Sequence, residues 1–139
     1  MRRAGMWTIG CVASLMIVAG GRPALAHHSF AMFDHSRTVT IRGEVSKFQW
    51  TNPHALLEID VPGPGGKHYT LELTSINMMQ RLGWRSDYIK AGDKVKAVMA
   101  PLVNGESGGL LLEITLPDGR KLEPGVPAAG TFKRTPEAE

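Results

Sequence analysis

Five apolar stretches with a period of two, one short stretch with helical spacing between the third and fourth, and turn-forming clusters between them predict an all-β fold. With that element order the expected architecture is a five-stranded, OB-fold-like Greek-key barrel carrying one short helix, over residues 38–122. An immunoglobulin-like sandwich would need about seven strands, more than the patterned sequence supplies.

Each element has its own signal. Thr38 to Trp50 is the first strand: Val39, Ile41, Gly43 and Val45 share one face, Phe48 and Trp50 take the opposite parity, and a bulge near Ser46 and Lys47 reconciles the two. In the second, Ala55 to Val61, Leu57, Ile59 and Val61 face inward and Glu58 and Asp60 outward, with His54 on the outward parity. Pro62 to Gly66 is a breaker cluster, and Tyr69, Leu71 and Leu73 mark a third strand that makes a hairpin with the second. Thr74 or Ser75 caps a helix bearing Ile76, Met79 and Leu82, and Gly83 ends it. Lys90 to Asp93 turns into a fourth strand, Lys94 to Ala100. Residues 104–109 are read as a loop and Leu110 to Leu116 as the fifth strand, with Arg120 to Leu122 pairing back after the Pro117-Asp118-Gly119 turn. From Glu123 to Glu139, Pro, Gly, Ala and charge dominate, which predicts a disordered tail.

The first 26 residues read as a secretory signal: Arg2 and Arg3, an apolar run from Thr8 to Gly20, and a small-x-small cleavage site at Ala24-Leu25-Ala26. The run falls short of the roughly 20 residues that cross a bilayer, so no membrane anchor is expected and the location is periplasmic or secreted. Cleavage after Ala26 leaves 113 of the 139 residues and removes three of the 16 Lys and Arg, so 13 basic residues balance 13 acidic ones. The basic pI therefore belongs to the signal, and no nucleic-acid footprint remains. The single cysteine, Cys11, leaves as well, which excludes disulfides, thiolate metal sites and a thiol nucleophile from the processed chain.

Cleavage also makes His27 the N-terminus, followed by His28 and an arm of residues 27–37. An N-terminal histidine offers two nitrogens, its amine and its imidazole. The amine, with a reference pKa of about 7.7, is partly neutral near pH 7, and a bound cation favours that form further. A second imidazole would complete a three-nitrogen set suited to Cu(II), similar to the histidine-brace sites of some secreted copper proteins. His28, His35, His54 and His68 are the candidate partners. Pairing Val61 with Tyr69 puts His68 opposite Pro62, eight positions from His54, or about 26 Å, so those two cannot share a metal; His68 is expected on the solvent face near Glu72. An extended eleven-residue arm spans up to about 36 Å, enough to bring His27 to His54 if it runs back along the first strand. A tight turn through Asp34-His35-Ser36 would instead leave His28 near Gly43. In the plainer alternative the two histidines are polar residues at the signal junction, and Phe30, Met32 and Phe33 pack the arm onto the barrel.

A barrel of this kind binds ligands on strands two and three and the loops joining strands one to two and four to five. That places Trp50, Asn52, Asn104 and Glu106 as candidate ligand-binding residues beside His54, for a protein, peptide or glycan. His35 and Asn52-Pro53 read as turn chemistry, and the methionines as core filling. No nucleophile elbow, phosphate loop or His-Glu-x-x-His pattern is present, so no enzyme is expected. The expected functions are metal binding, copper foremost, through His27, His28 and His54, or a non-catalytic binding module using the cleft.

Three stretches, "AHHSFAMFD", "GEVSKFQWTNPHALLEIDV" and "GWRSDYIKAGDKV", carry a resemblance. Together they resemble an uncharacterised family of small exported bacterial proteins, the domain of unknown function 6152 family. The resemblance implies export and a small β fold, and assigns no activity or catalytic residue.

Overall fold

The structure, a computed structural model, describes residues 30–126 together with 132, 133 and 135. A 3-10 turn (Phe30–Met32) precedes β1 (Val39–Gln49), β2 (Leu56–Val61), β3 (Lys67–Glu72), α1 (Ile76–Arg81), β4 (Lys94–Pro101), β5 (Gly108–Thr115) and the two-residue β6 (Lys121–Leu122). β1 pairs antiparallel with both β2 and β4, β2 with β3, and β4 with β5. β3 runs parallel to β5, and this pairing closes the five strands into the expected Greek-key barrel with its helix between β3 and β4. β6 is the return stretch, setting Leu122 against Ile114.

The long first strand serves both halves of the barrel. Val39 to Glu44 pairs with β4 and Glu44 to Gln49 with β2, and the register slips between Val45 and Lys47. Ser46 is thus the bulged residue, and it shifts the inward parity from Ile41 and Val45 to Phe48, as the apolar pattern required. α1 starts where Ser75 Oγ accepts from the Met78 N–H at 3.3 Å. It buries Met79 against the barrel core of Leu57, Ile59, Leu71, Leu73, Leu111 and Ile114, and ends at Gly83, whose φ of +84° favours a residue without a Cβ.

Four features differ from the sequence reading. The β2–β3 hairpin pairs Val61 with Lys67 and Asp60 with His68, a two-residue slip from the expected Val61–Tyr69 pair. Alternation cannot detect such a slip, because a shift of two keeps every side chain on its own face; the five-residue turn at 62–66 decides it.

The strand after the expected 104–109 loop begins at Gly108 instead of Leu110. Gly108 and Gly109 read as breakers, yet they form the seam itself, opposite Thr70 and Leu71. A Cβ on Gly108 would stand 2.9 Å from Thr70 O, and one on Gly109 2.3 Å from Ala100 O; the strands approach this closely because there is no side chain.

The described part of the arm, from Phe30 on, does not run back along β1. It turns at Asp34, whose Oδ1 accepts from the Ser36 N–H and Oγ–H at 2.8 and 2.6 Å. It then lies antiparallel to the end of β4: Asp34 N donates to Pro101 O at 2.8 Å, Val103 N donates to Met32 O at 3.0 Å, and Phe33 bridges Leu102.

The described part of the expected disordered tail is laid on the barrel. Thr74 Oγ1 donates to Pro124 O and Trp84 Nε1 to Glu123 O, Lys133 N donates to His35 O, and Thr38 and Thr135 exchange hydrogen bonds through their hydroxyls. Phe132 stacks on the His35 ring with centroids 4.2 Å apart. Arm and tail together build a second apolar cluster, Phe33, Ala100, Leu110, Leu112, Val126 and Phe132. Residues 108–112 of β5 are consequently all buried: Leu111 faces the barrel interior, and Leu110 and Leu112 face this outer cluster.

Candidate functional site

His54 stands just before β2, and Glu72 at the end of β3 faces outward with it. Imidazole Nδ1 lies 2.6 Å from Glu72 Oε1, and the two side chains keep only 32% and 21% of their exposure. A contact this short fixes the ring orientation. When Nδ1 carries the proton donated to Glu72, the ring's lone pair sits on Nε2.

Glu72 also lines a groove of about 260 Å³, with Thr70 and Leu56 from the β2–β3 face, Glu106 and Ser107 from the β4–β5 loop, and Met32 and Phe33 from the arm. Two carboxylates line it and, among the described residues, no lysine or arginine does, so its field favours cations. The groove exists because the seam glycines let β5 close on β3 and because the arm follows residues 101–103 toward the β4–β5 loop.

The other expected residues are divided among different surroundings. His27 and His28 lie outside the described residues. Glu106 lines the groove. Asn104 Oδ1 accepts from the Glu106 N–H at 3.0 Å and shapes the loop. Asn52 Oδ1 accepts from the Ile76 N–H at 3.3 Å at the start of α1, and the Asn52–Pro53 peptide is cis. Trp50 belongs to a separate depression with Gln80, Trp84 and Asp87. His68 is not beside Glu72: its Nδ1 is 2.6 Å from Asp60 Oδ1 and its Nε2 3.6 Å from Glu58 Oε2. With Asp60 as its cross-strand partner it sits six positions from His54 along β2, about 20 Å away, so the two still cannot share a metal.

Glu72 and the arm residues Met32 and Phe33 were missed by sequence reasoning as parts of the site. Glu72 has the outward parity of its strand, which predicts only that it shares a face with His68; the register slip sets it opposite Leu56, beside His54. Among the described residues no three His, Cys, Asp or Glu side chains form a metal-holding group by themselves, and no helix is long and apolar enough to cross a membrane. A larger depression, about 820 Å³, is at the other end of the barrel, where Arg42, Lys94 and Lys96 alternate with Glu44 and Asp60. No imidazole or indole lines it, and its mixed charges select no ligand.

The family model described as "Family of unknown function (DUF6152)" matches residues 14–112, well over half of the 139-residue chain, and the chain belongs to that family. The match takes in His27, His28, His54, Glu72 and Glu106. No curated protein matches the chain.

Proposed function

We propose that this member of the family is an exported protein, cleaved after Ala26, that binds a copper ion as a carrier or sensor. His27 would supply the amine and imidazole nitrogens and His54 the third nitrogen. The observation that carries this reading is the 2.6 Å contact between His54 Nδ1 and Glu72. A carboxylate on one ring nitrogen is the common way to orient an imidazole for metal binding through the other, and it raises the ligand's basicity.

The arm supplies the second support. Met32 and Phe33 line the same groove as Glu72, and three extended residues, from Phe30 back to His27, reach about 10 Å. The requirement on the arm is therefore much milder than a return along the whole of β1. The carboxylates of Glu72 and Glu106 favour the approach of a cation, and three nitrogens in a plane suit Cu(II) above the other common divalent ions. His28 is the alternative third ligand.

Copper titration of the processed chain tests the proposal against a version carrying one extra residue before His27. The extension turns the amine into an amide, and tight binding should disappear. Equal affinity of the two forms would remove the N-terminal chelate. The second reading is a non-catalytic module that takes a peptide into the groove, favoured by the apolar wall of Leu56, Leu102 and Phe33; it predicts that the extension leaves ligand binding unchanged.

A further inference from the structure

We propose that the depression between the end of β1 and the turn after α1 is a binding subsite for one neutral sugar ring of a glycan. It is lined by Trp50, Gln80, Trp84, Arg85, Ser86 and Asp87, and its volume is about 310 Å³, at the small end of ligand pockets, which begin at roughly 300 Å³. It shares no residue with the groove that Glu72 lines or with the His54–Glu72 contact, so the inference is independent of copper binding.

The lining combines two kinds of surface. Trp50 is half-buried and is steadied by Phe48, whose ring meets it edge-on at 5.8 Å and 67°. Trp84 is 3% exposed and is anchored by its Nε1–H donating to Glu123 O at 3.0 Å. Trp50, held from behind, gives the exposed apolar wall, and Trp84, almost wholly buried, backs it as part of the core. Around them stand an amide, a hydroxyl and an ion pair in which Arg85 Nε and Nη2 lie 3.1 and 3.5 Å from the two oxygens of Asp87.

Charge decides the class of ligand. Arg85 and Asp87 neutralise one another, so an anion meets the carboxylate and a cation meets the guanidinium, and neither gains. A wholly apolar ligand would cover Gln80, Ser86 and the ion pair without offering them partners, and each group left unpaired would oppose binding. A pyranose ring presents a C–H face to the Trp50 indole and an edge of hydroxyls, each both donor and acceptor, to the amide, hydroxyl, guanidinium and carboxylate.

The test is a titration of the ¹⁵N-labelled full chain with three neutral trisaccharides, maltotriose, cellotriose and tri-N-acetylchitotriose, followed by the indole N–H resonances. At least one sugar should move the Trp50 and Trp84 signals saturably while the ring signals of His68, on the β2–β3 face, stay still. Trp50→Ala should weaken binding at least about tenfold, as truncating a tryptophan anchor does. Asp87→Asn, a change on an exposed side chain that leaves the core intact, should also weaken it, and His54→Ala should leave it unchanged. Indole signals unmoved by all three sugars would overturn the proposal, as would equal affinity in Trp50→Ala or in Asp87→Asn.

Discussion

Replacing Gly109 by alanine should force β5 away from β4 beside the seam. The added Cβ would lie 2.3 Å from Ala100 O and 3.1 Å from Met99 Sδ, where ordinary contact begins near 3.4 Å. The sulfur can swing away, but the carbonyl belongs to the β4 ladder, so β5 must move by about 1 Å. Overpacking of this kind costs about 1–3 kcal/mol, and each ladder hydrogen bond lost on either side adds about 1 kcal/mol. The expected loss is about 2–4 kcal/mol, against a typical total of roughly 5–15 kcal/mol. For a domain of this size that corresponds to a fall in Tm of about 10–25 °C. Gly65→Ala is the matched control: its φ is +83° but nothing lies within 4 Å of the new Cβ, so only the left-handed backbone penalty of about 1–2 kcal/mol applies. Urea unfolding of both variants measures the difference. A Gly109→Ala protein within about 0.5 kcal/mol of the parent, the ordinary range for a surface change, would refute the claim that this glycine is required by close approach of the strands.

Three further outcomes follow from the same structure. Glu72→Gln should weaken copper binding about 10–100-fold, the usual effect of losing the partner that orients a ligating histidine, while urea unfolding of the metal-free chain changes little; unchanged affinity by competition titration would remove Glu72 from that role. Phe132→Ala removes the ring stacked on His35 and part of the cover over Leu110 and Leu112. It should cost about 2–4 kcal/mol, somewhat under the full core value for such a truncation, and speed hydrogen exchange at the amides of Asp34 and Val103; unchanged exchange there would show that the arm does not depend on the tail. The carboxyl of Asp34 is held below its ordinary value of 3.8, first by the Ser36 hydroxyl, then by the Ser36 N–H and by Arg37. Because its folded pKa is depressed, its contribution to the arm's turn is present above pH 3.8 and is lost as pH falls through the lower folded value; the Ser36 amide shift should titrate with a midpoint below 3.8, and a midpoint at or above that value would contradict the turn.

Much of the barrel could be read from alternation alone, down to the bulge at Ser46, because one face of each strand is buried and a wrong parity would expose every Leu, Ile and Val together. What escaped the reading shares one physical cause: periodicity reports which face a residue takes, and not what lies across from it. The hairpin slip at Val61 preserves every face. The seam at Gly108 and Gly109 works through the absence of side chains, and glycine pairs read as loops. The outer cluster did leave a trace, since Leu110-Leu111-Leu112 is a continuous apolar run, the mark of a strand covered on both sides; its cover comes from Phe33, Val126 and Phe132, which are scattered through segments of arm and tail. His54 was recognised as a candidate by its place in the loop between the first two strands. Its partner Glu72 is expected near His68 because the two share a face of one strand, and the two-residue slip, which sets Glu72 opposite Leu56 instead of Glu58, is what brings it beside His54.

Electron paramagnetic resonance of the Cu(II)-loaded processed chain tests the copper proposal most directly, because hyperfine coupling counts the nitrogens bound to the metal. Three nitrogens are expected, one amine and two imidazoles, falling to two when His54 is replaced by alanine. The same nitrogen set in the parent and in His54→Ala, or in a chain with one residue added before His27, would contradict the account.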